Sequence, residues 1–185
     1  NATVENNRFT NNGKHGFIVS KRCNNNVIRN NLSSGNKLHG FMLHQDSNFN
    51  LIENNTAVNN TDNFVIYASM FNTIKNNKSY SPISSHIRVN AQARNTYIQD
   101  NLLYGGELGV YLYEEPEGTL VEGNSFSKIA GDILKTDQAS QVLWANNKIN
   151  ALRYKLGKED RVVFGPNKIE SIPATDLSLP NNSAA

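Results

Sequence analysis

The sequence predicts an all-β protein, a right-handed parallel β-helix in which a single chain winds into coils of 22–24 residues. Three observations carry this: asparagines recurring at that period, β-branched apolar stretches repeating in phase with them, and an asparagine-rich, weakly charged composition. Asn7, Asn31, Asn55, Asn77, Asn101, Asn124 and Asn147 are separated by 24, 24, 22, 24, 23 and 23 residues. Such a period is too short for paired-helix repeats and falls in the range of leucine-rich repeats and β-helices. The leucine-rich alternative fails, because the apolar positions mix Ile, Val, Phe and Leu and no 3.6-residue spacing fills the remainder of the repeat.

Taken in order, the column asparagines close the stretches VENN, VIRNN, LIENN, TIKNN, YIQDN, LVEGN and LWANN. About eight residues after each of the first six comes a second apolar stretch: GFIVS, GFMLH, NFVIYA, HIRVN, GVYLY and GDILK. Stacked coils would set equivalent positions about 4.8 Å apart and turn the inward side chains into apolar columns. Asparagine suits the corners, since it tolerates the left-handed conformation and its amide can bond to its copy one coil away. Residues 1–150 make roughly six coils, on the order of 30 Å of solenoid. After Asn150 the register dissolves: ALRYKLGKEDRVVFG reads as a hairpin or cap and SIPATDLSLPNNSAA as an irregular tail, so 151–185 is expected to cover the open parallel edge. The first coil begins partway through, and further coils upstream of Asn1 are expected.

Composition bounds the function. Of 31 asparagines, 23 lie in the first 100 residues, whereas charged residues are 18% and the net charge is +2, which is no signature of disorder. The mild basicity lacks the clustered Lys and Arg of a nucleic-acid partner and is compatible with an acidic polysaccharide. No apolar run reaches membrane-spanning length, and the first residues do not read as a signal peptide. The single Cys23 cannot form an internal disulfide. His15, His39 and His86 are 24 and 47 residues apart with no paired Cys or Glu, so neither a metal nor a cofactor is expected, and no nucleophile elbow or phosphate loop occurs.

Strands in register give rows of outward side chains suited to an extended polymer. The exits after the second apolar stretch carry Ser20-Lys21-Arg22, His44-Gln45-Asp46, Tyr67 with Ser69, Arg88 with Asn90, and Tyr111 with Tyr113. Arginine clamps a carboxylate through two donors and lysine meets it as a point charge; tyrosine offers a ring face and a hydroxyl. The candidate substrate-binding residues are therefore His15, His39, His44, Tyr67, Arg88, Tyr111 and Tyr113. Each also has a bland role open to it: the two His-Gly histidines as corner stacking, the tyrosines as packing, Lys21-Arg22 as solvated charge.

The phrase at residues 14–72, from KHGFIVSKRC through KLHGFMLHQD to NTDNFVIYAS, resembles the C-terminal part of the β-helix in periplasmic mannuronan (alginate) C5-epimerases, and the likeness extends over about residues 1–115. The resemblance implies conversion of mannuronate to guluronate within the polymer, in the periplasm or outside the cell: a cation neutralises the substrate carboxylate, a histidine removes the C5 proton, and a proton returns to the opposite face. A proton alpha to a carboxylate is weakly acidic until that charge is offset, so electrostatic stabilisation carries much of the barrier. The family's carboxylate-gripping arginine falls at Lys21, with Arg22 beside it, which makes these two the implied catalytic pair. Two departures follow. Lysine lacks arginine's fork, leaving bidentate contact to Arg22, and the family's Asp-Pro-His motif, one coil earlier, has no counterpart, since the chain holds no Asp-Pro pair. This chain alone is expected to be inactive. A uronate lyase, or a non-catalytic carbohydrate-binding or surface solenoid, remains open beside the epimerase reading.

Overall fold

The computed structural model describes residues 1–151 and 153–169. Every regular element among them is a strand, and the strands assemble into three parallel sheets of eight, eight and seven strands, each sheet taking every third strand in chain order. The chain is thus a parallel β-helix of about seven turns. Each coil carries three strands where the apolar pattern marked two. The extra strand, such as Leu32–Ser34 or Lys78–Tyr80, is only three residues long and largely polar, which is too little for a periodicity to register.

The core is a set of columns. Ile28, Ile52, Ile74, Ile98, Val121 and Trp144 stack from the first sheet, and Phe41, Phe64, Ile87, Val110 and Leu134 from the third, all of them buried. The corners explain the asparagine doublets. In Asn30-Asn31 or Asn76-Asn77 the first residue takes the left-handed turn, at φ 55° and 54°, and the second points inward. Asn77 shows the inward chemistry: its Oδ1 accepts the Asn55 backbone N–H at 2.8 Å and the Asn55 amide at 3.1 Å, while its own amide donates to Ile52 O at 2.9 Å and Asn101 Oδ1 at 3.1 Å. The ladder runs from Asn7 to Asn147 and on to Asn167. Two further ladders occupy the other corners, Asn12–Asn36–Asn60 and Asn26–Asn50–Asn72. The last of these stops where threonine takes over: the hydroxyls of Thr96 and Thr119 are buried without partners.

Of the two C-terminal alternatives, hairpin or cap, the hairpin is not formed. Residues 154–155, 162–164 and 168–169 do not fold back as a hairpin; they pair in parallel with the preceding coil on all three sheets. Tyr154 seats between Trp144 and Phe164, and Tyr154 and Val162 pack against the core, which favours another turn over a hairpin. The tail beyond 169 lies outside the described residues.

The His-Gly phrase also acquires a reason. A Cβ at Gly40 would stand 2.6 Å from Asn63 O and 2.8 Å from the Asn60 amide, and at Gly16 it would strike Ser33 and Asn36. The strand crosses the asparagine corner where no side chain fits. Gly40→Ala is accordingly expected to cost about 2 kcal/mol, read as a lowered midpoint in urea denaturation.

Candidate functional site

The third sheet turns one face outward, and its register sorts that face into columns. One holds Ser20, His44, Tyr67, Asn90, Tyr113 and Asp137; its neighbour holds Ile18, Met42, Val65, Arg88, Tyr111 and Lys135. Alternation places these side chains opposite the core columns of the same strands. His44 stacks on Tyr67 with ring centroids 4.9 Å apart and meets Ser20 Oγ at 3.1 Å; Tyr111 stacks on Tyr113 at 4.5 Å, and His15 lies against His39 at 4.9 Å. All seven residues expected to bind substrate are on this side of the molecule.

At its centre is an ionic network the sequence did not announce. Asp62, in register with His39 and Ser85, is fully buried. Its Oδ1 accepts the Ser85 hydroxyl at 2.6 Å and backbone N–H at 3.1 Å. Its Oδ2 has Arg88 Nη1 at 2.8 Å and His39 Nδ1 at 3.2 Å, both off the hydrogen-bond line, so Arg88 holds it through charge and His39 through the dipole of its ring N–H. Arg88 Nη2 also lies 3.0 Å from His39 Nε2. A guanidinium can only donate, so Nε2 is the acceptor and the proton of the neutral imidazole sits on Nδ1, facing Asp62. Burial alone would raise the Asp62 carboxyl; contacts with His39, Arg88 and Ser85 outweigh it and hold the group below the ordinary carboxylate value. Burial first, then His39, His44, Lys14 and Arg88, push His15 down. Burial raises the phenols of Tyr111 and Tyr113 against the opposing pull of Arg88, which keeps both protonated as donors.

Lys21 and Arg22 lie elsewhere. Both adopt left-handed conformations, φ 59° and 66°, in the exposed turn that leaves the third sheet, where they border a recess with Gln45, Asp46 and Ala68. Arg22 Nε reaches Asp46 Oδ2 at 4.0 Å, and no hydrogen bond or ion pair among the described residues joins either cation to the Arg88 network. His86 is also displaced from the expected histidine column. Asp62 and Ser85 are the residues in register with His39, so His86 falls one place beyond and points inward. Between Ser79 Oγ and Gly105 O, each at 2.6 Å, it is fully buried and its pKa is pushed down to about 4. It is a neutral core histidine. Asp62 and Lys135 are the members missed from sequence; NTDNFVIY contained Asp62, but nothing local marks it as the partner of an arginine 26 residues on.

A stack of parallel sheets with a polar, cationic and aromatic lateral face defines the class: a parallel β-helix, a solenoid whose repeats build one extended surface. Residues 1–158 match the family model described as periplasmic copper-binding protein (NosD), and the chain belongs to that family. No curated protein matches it. Among solved structures it is similar to the A-module of the Azotobacter vinelandii mannuronan C-5 epimerase AlgE6, with TM-score 0.76 and 21% identity over 92% of this chain and 52% of that one. It is similar also to the periplasmic alginate epimerase AlgG, with TM-score 0.63 and 22% identity over 88% and 39%, and to a glycoside hydrolase, with TM-score 0.63 and 14% identity over 91% and 38%. The chain therefore spans about half or less of each, and at these identities the likeness is one of fold.

The family's description names copper, and the residues do not fit it. His15, His39 and Asp62 are the ligand types that lie together, yet the Arg88 guanidinium stands at the Asp62 carboxylate and caps His39 Nε2, filling the place of a cation. No group of three or more His, Cys, Asp or Glu among the described residues is disposed to hold a metal ion, and Cys23 is exposed and alone.

Proposed function

We propose that this β-helix binds an acidic polysaccharide of the polymannuronate kind along the outer face of its third sheet, in the periplasm or outside the cell, and that the protein it serves epimerises mannuronate at C5. The observation that carries this is the Arg88–Asp62–His39 network set among His15, His44, Tyr67, Tyr111 and Tyr113. Arg88 is a fixed cation at a face lined with stacking rings, the combination that a uronate needs: charge for its carboxylate and apolar surface for its ring. Neutral His39 beside it has the residue type and protonation state of a base for the C5 proton. The guanidinium would have to leave Nε2 for the substrate carboxylate before that nitrogen is free. The epimerase names among similar structures support the reading, and the periplasmic descriptions of the family and of AlgG support its location; among the described residues no helix is long and apolar enough to cross a membrane. Lys21 and Arg22, on the neighbouring turn, serve in it as a flanking contact.

A second reading is favoured by one specific observation: the chain contains no Asp-Pro pair, so a non-catalytic binding solenoid is its direct rival. Proton NMR of polymannuronate incubated with the full-length protein in D2O separates them. The epimerase reading expects guluronate anomeric signals and deuterium at C5. Saturable binding with neither assigns the surface to recognition alone, and a rise in ultraviolet absorbance from unsaturated uronate would replace epimerisation with lyase chemistry.

A further inference from the structure

The column that contains Arg88 changes character along the solenoid. Before it come Ile18, Met42 and Val65; from it onward come Arg88, Tyr111, Lys135 and Lys155, one per coil. Met42 and Val65 are buried although they stand on the outer face, so those two positions are closed over, whereas Ile18 is exposed. Lys135 Nζ lies 4.6 Å from the centre of the Tyr111 ring, and Tyr111 stacks on Tyr113. No carboxylate among the described residues pairs with Lys135; Asp137, the nearest along its strand, belongs to the neighbouring column with Tyr113. Arg88 and Lys135 are therefore two cations on one line, separated by a coil that offers an aromatic face.

Two coils amount to roughly 10 Å at the spacing of parallel strands. A pyranose linked through equatorial bonds is about one strand spacing long, and in a two-fold ribbon each sugar is flipped relative to the last. Carboxylates on one edge of such a ribbon recur at every second residue. We infer, on the strength of the polysaccharide reading above, that the third sheet takes a linear, two-fold, 1,4-linked uronate polymer parallel to the solenoid axis. Carboxylates i and i+2 meet Arg88 and Lys135, and the intervening ring lies over Tyr111. Lys155, one coil beyond Lys135, is out of phase with that pair and contributes only diffuse charge. The smallest ligand that spans both cations is a trimer.

Calorimetric titration of the full chain with oligomannuronates of two, three, four and six residues tests this, with cellohexaose as a neutral two-fold ribbon and oligogalacturonates as uronates lacking that ribbon. The expected result is a step of about tenfold in affinity between dimer and trimer. Lys135→Ala removes the step and Lys155→Ala leaves affinity within about twofold, although each deletes one positive charge from an outward position. Circular dichroism confirms that both variants are folded. Equal losses in the two lysine variants, or a smooth rise with length, overturn the phased arrangement while leaving acidic-polymer binding intact. Absence of binding to every oligomannuronate overturns both this inference and the function on which it rests.

Discussion

Arg88→Ala should lower stability by about 3–5 kcal/mol at neutral pH, the range for removing one partner of a buried ion pair. The Asp62 side chain has no exposed surface and that of Arg88 little, so solvent screening does not rescue the carboxylate left behind. In the native chain the folded-state pKa of Asp62 is depressed. Its contribution is therefore complete above the unfolded value, about 3.9, and is lost as pH falls through the lower folded value. Without Arg88, one of the contacts that hold the group down is lost while its burial penalty remains, so Asp62 takes a proton at higher pH than in the native chain. The gap between native and variant in urea denaturation is thus expected to be widest near pH 7 and to narrow toward pH 4. Arg88→Ala combined with Asp62→Asn should recover part of the loss, because the amide needs no counter-charge. A gap independent of pH would mean that lost packing, not the uncompensated carboxylate, is what Arg88→Ala measures.

Asn77→Ala is the second large effect, about 3 kcal/mol. The side chain makes four hydrogen bonds within a buried corner, and its removal strands the Asn55 backbone N–H and the Ile52 carbonyl where water does not reach, while the Asn55 side-chain amide keeps Ile28 O and Glu53 O. Each stranded group costs about 1–3 kcal/mol, partly offset by relaxation. The same change at Asn7, which is exposed, should cost about 1 kcal/mol or less, since water replaces the lost partners. Thermal unfolding of the two variants side by side is the measurement. Comparable losses at both positions would show that the ladder acts through corner conformation, with burial of its hydrogen bonds unimportant.

The ladder was legible from sequence because its chemistry is local and repeated. Every corner poses the same problem, a left-handed residue followed by an inward amide, and the chain answers with Asn-Asn, Asp100-Asn101 or Gly123-Asn124. The outer face was legible in part for the same reason, since alternation along FIVS, GFMLH and IRVN marks which side chains point away from the core. What defeated local reading was register. His86 is 47 residues from His39, whereas two coils here require 46, the distance from His39 through Asp62 to Ser85. That one-residue difference takes His86 out of the place beside Asp62, which Ser85 occupies, and leaves it in the corner between Ser79 Oγ and Gly105 O, where it is fully buried.

Period, composition and the asparagine column determined the fold, since stacking identical corners is the arrangement that satisfies so many amides while burying the β-branched residues between them. The network is of another kind. Arg88 meets His39 across 49 residues and Asp62 across 26, and no pattern in the sequence links these three. Their pairing, the tautomer it imposes on His39 and the place of Lys135 two coils from Arg88 were decided only when seven turns of slightly unequal length stacked in one register. Contact between coils depends on the accumulated length of every intervening turn, a quantity that a short stretch of sequence does not contain.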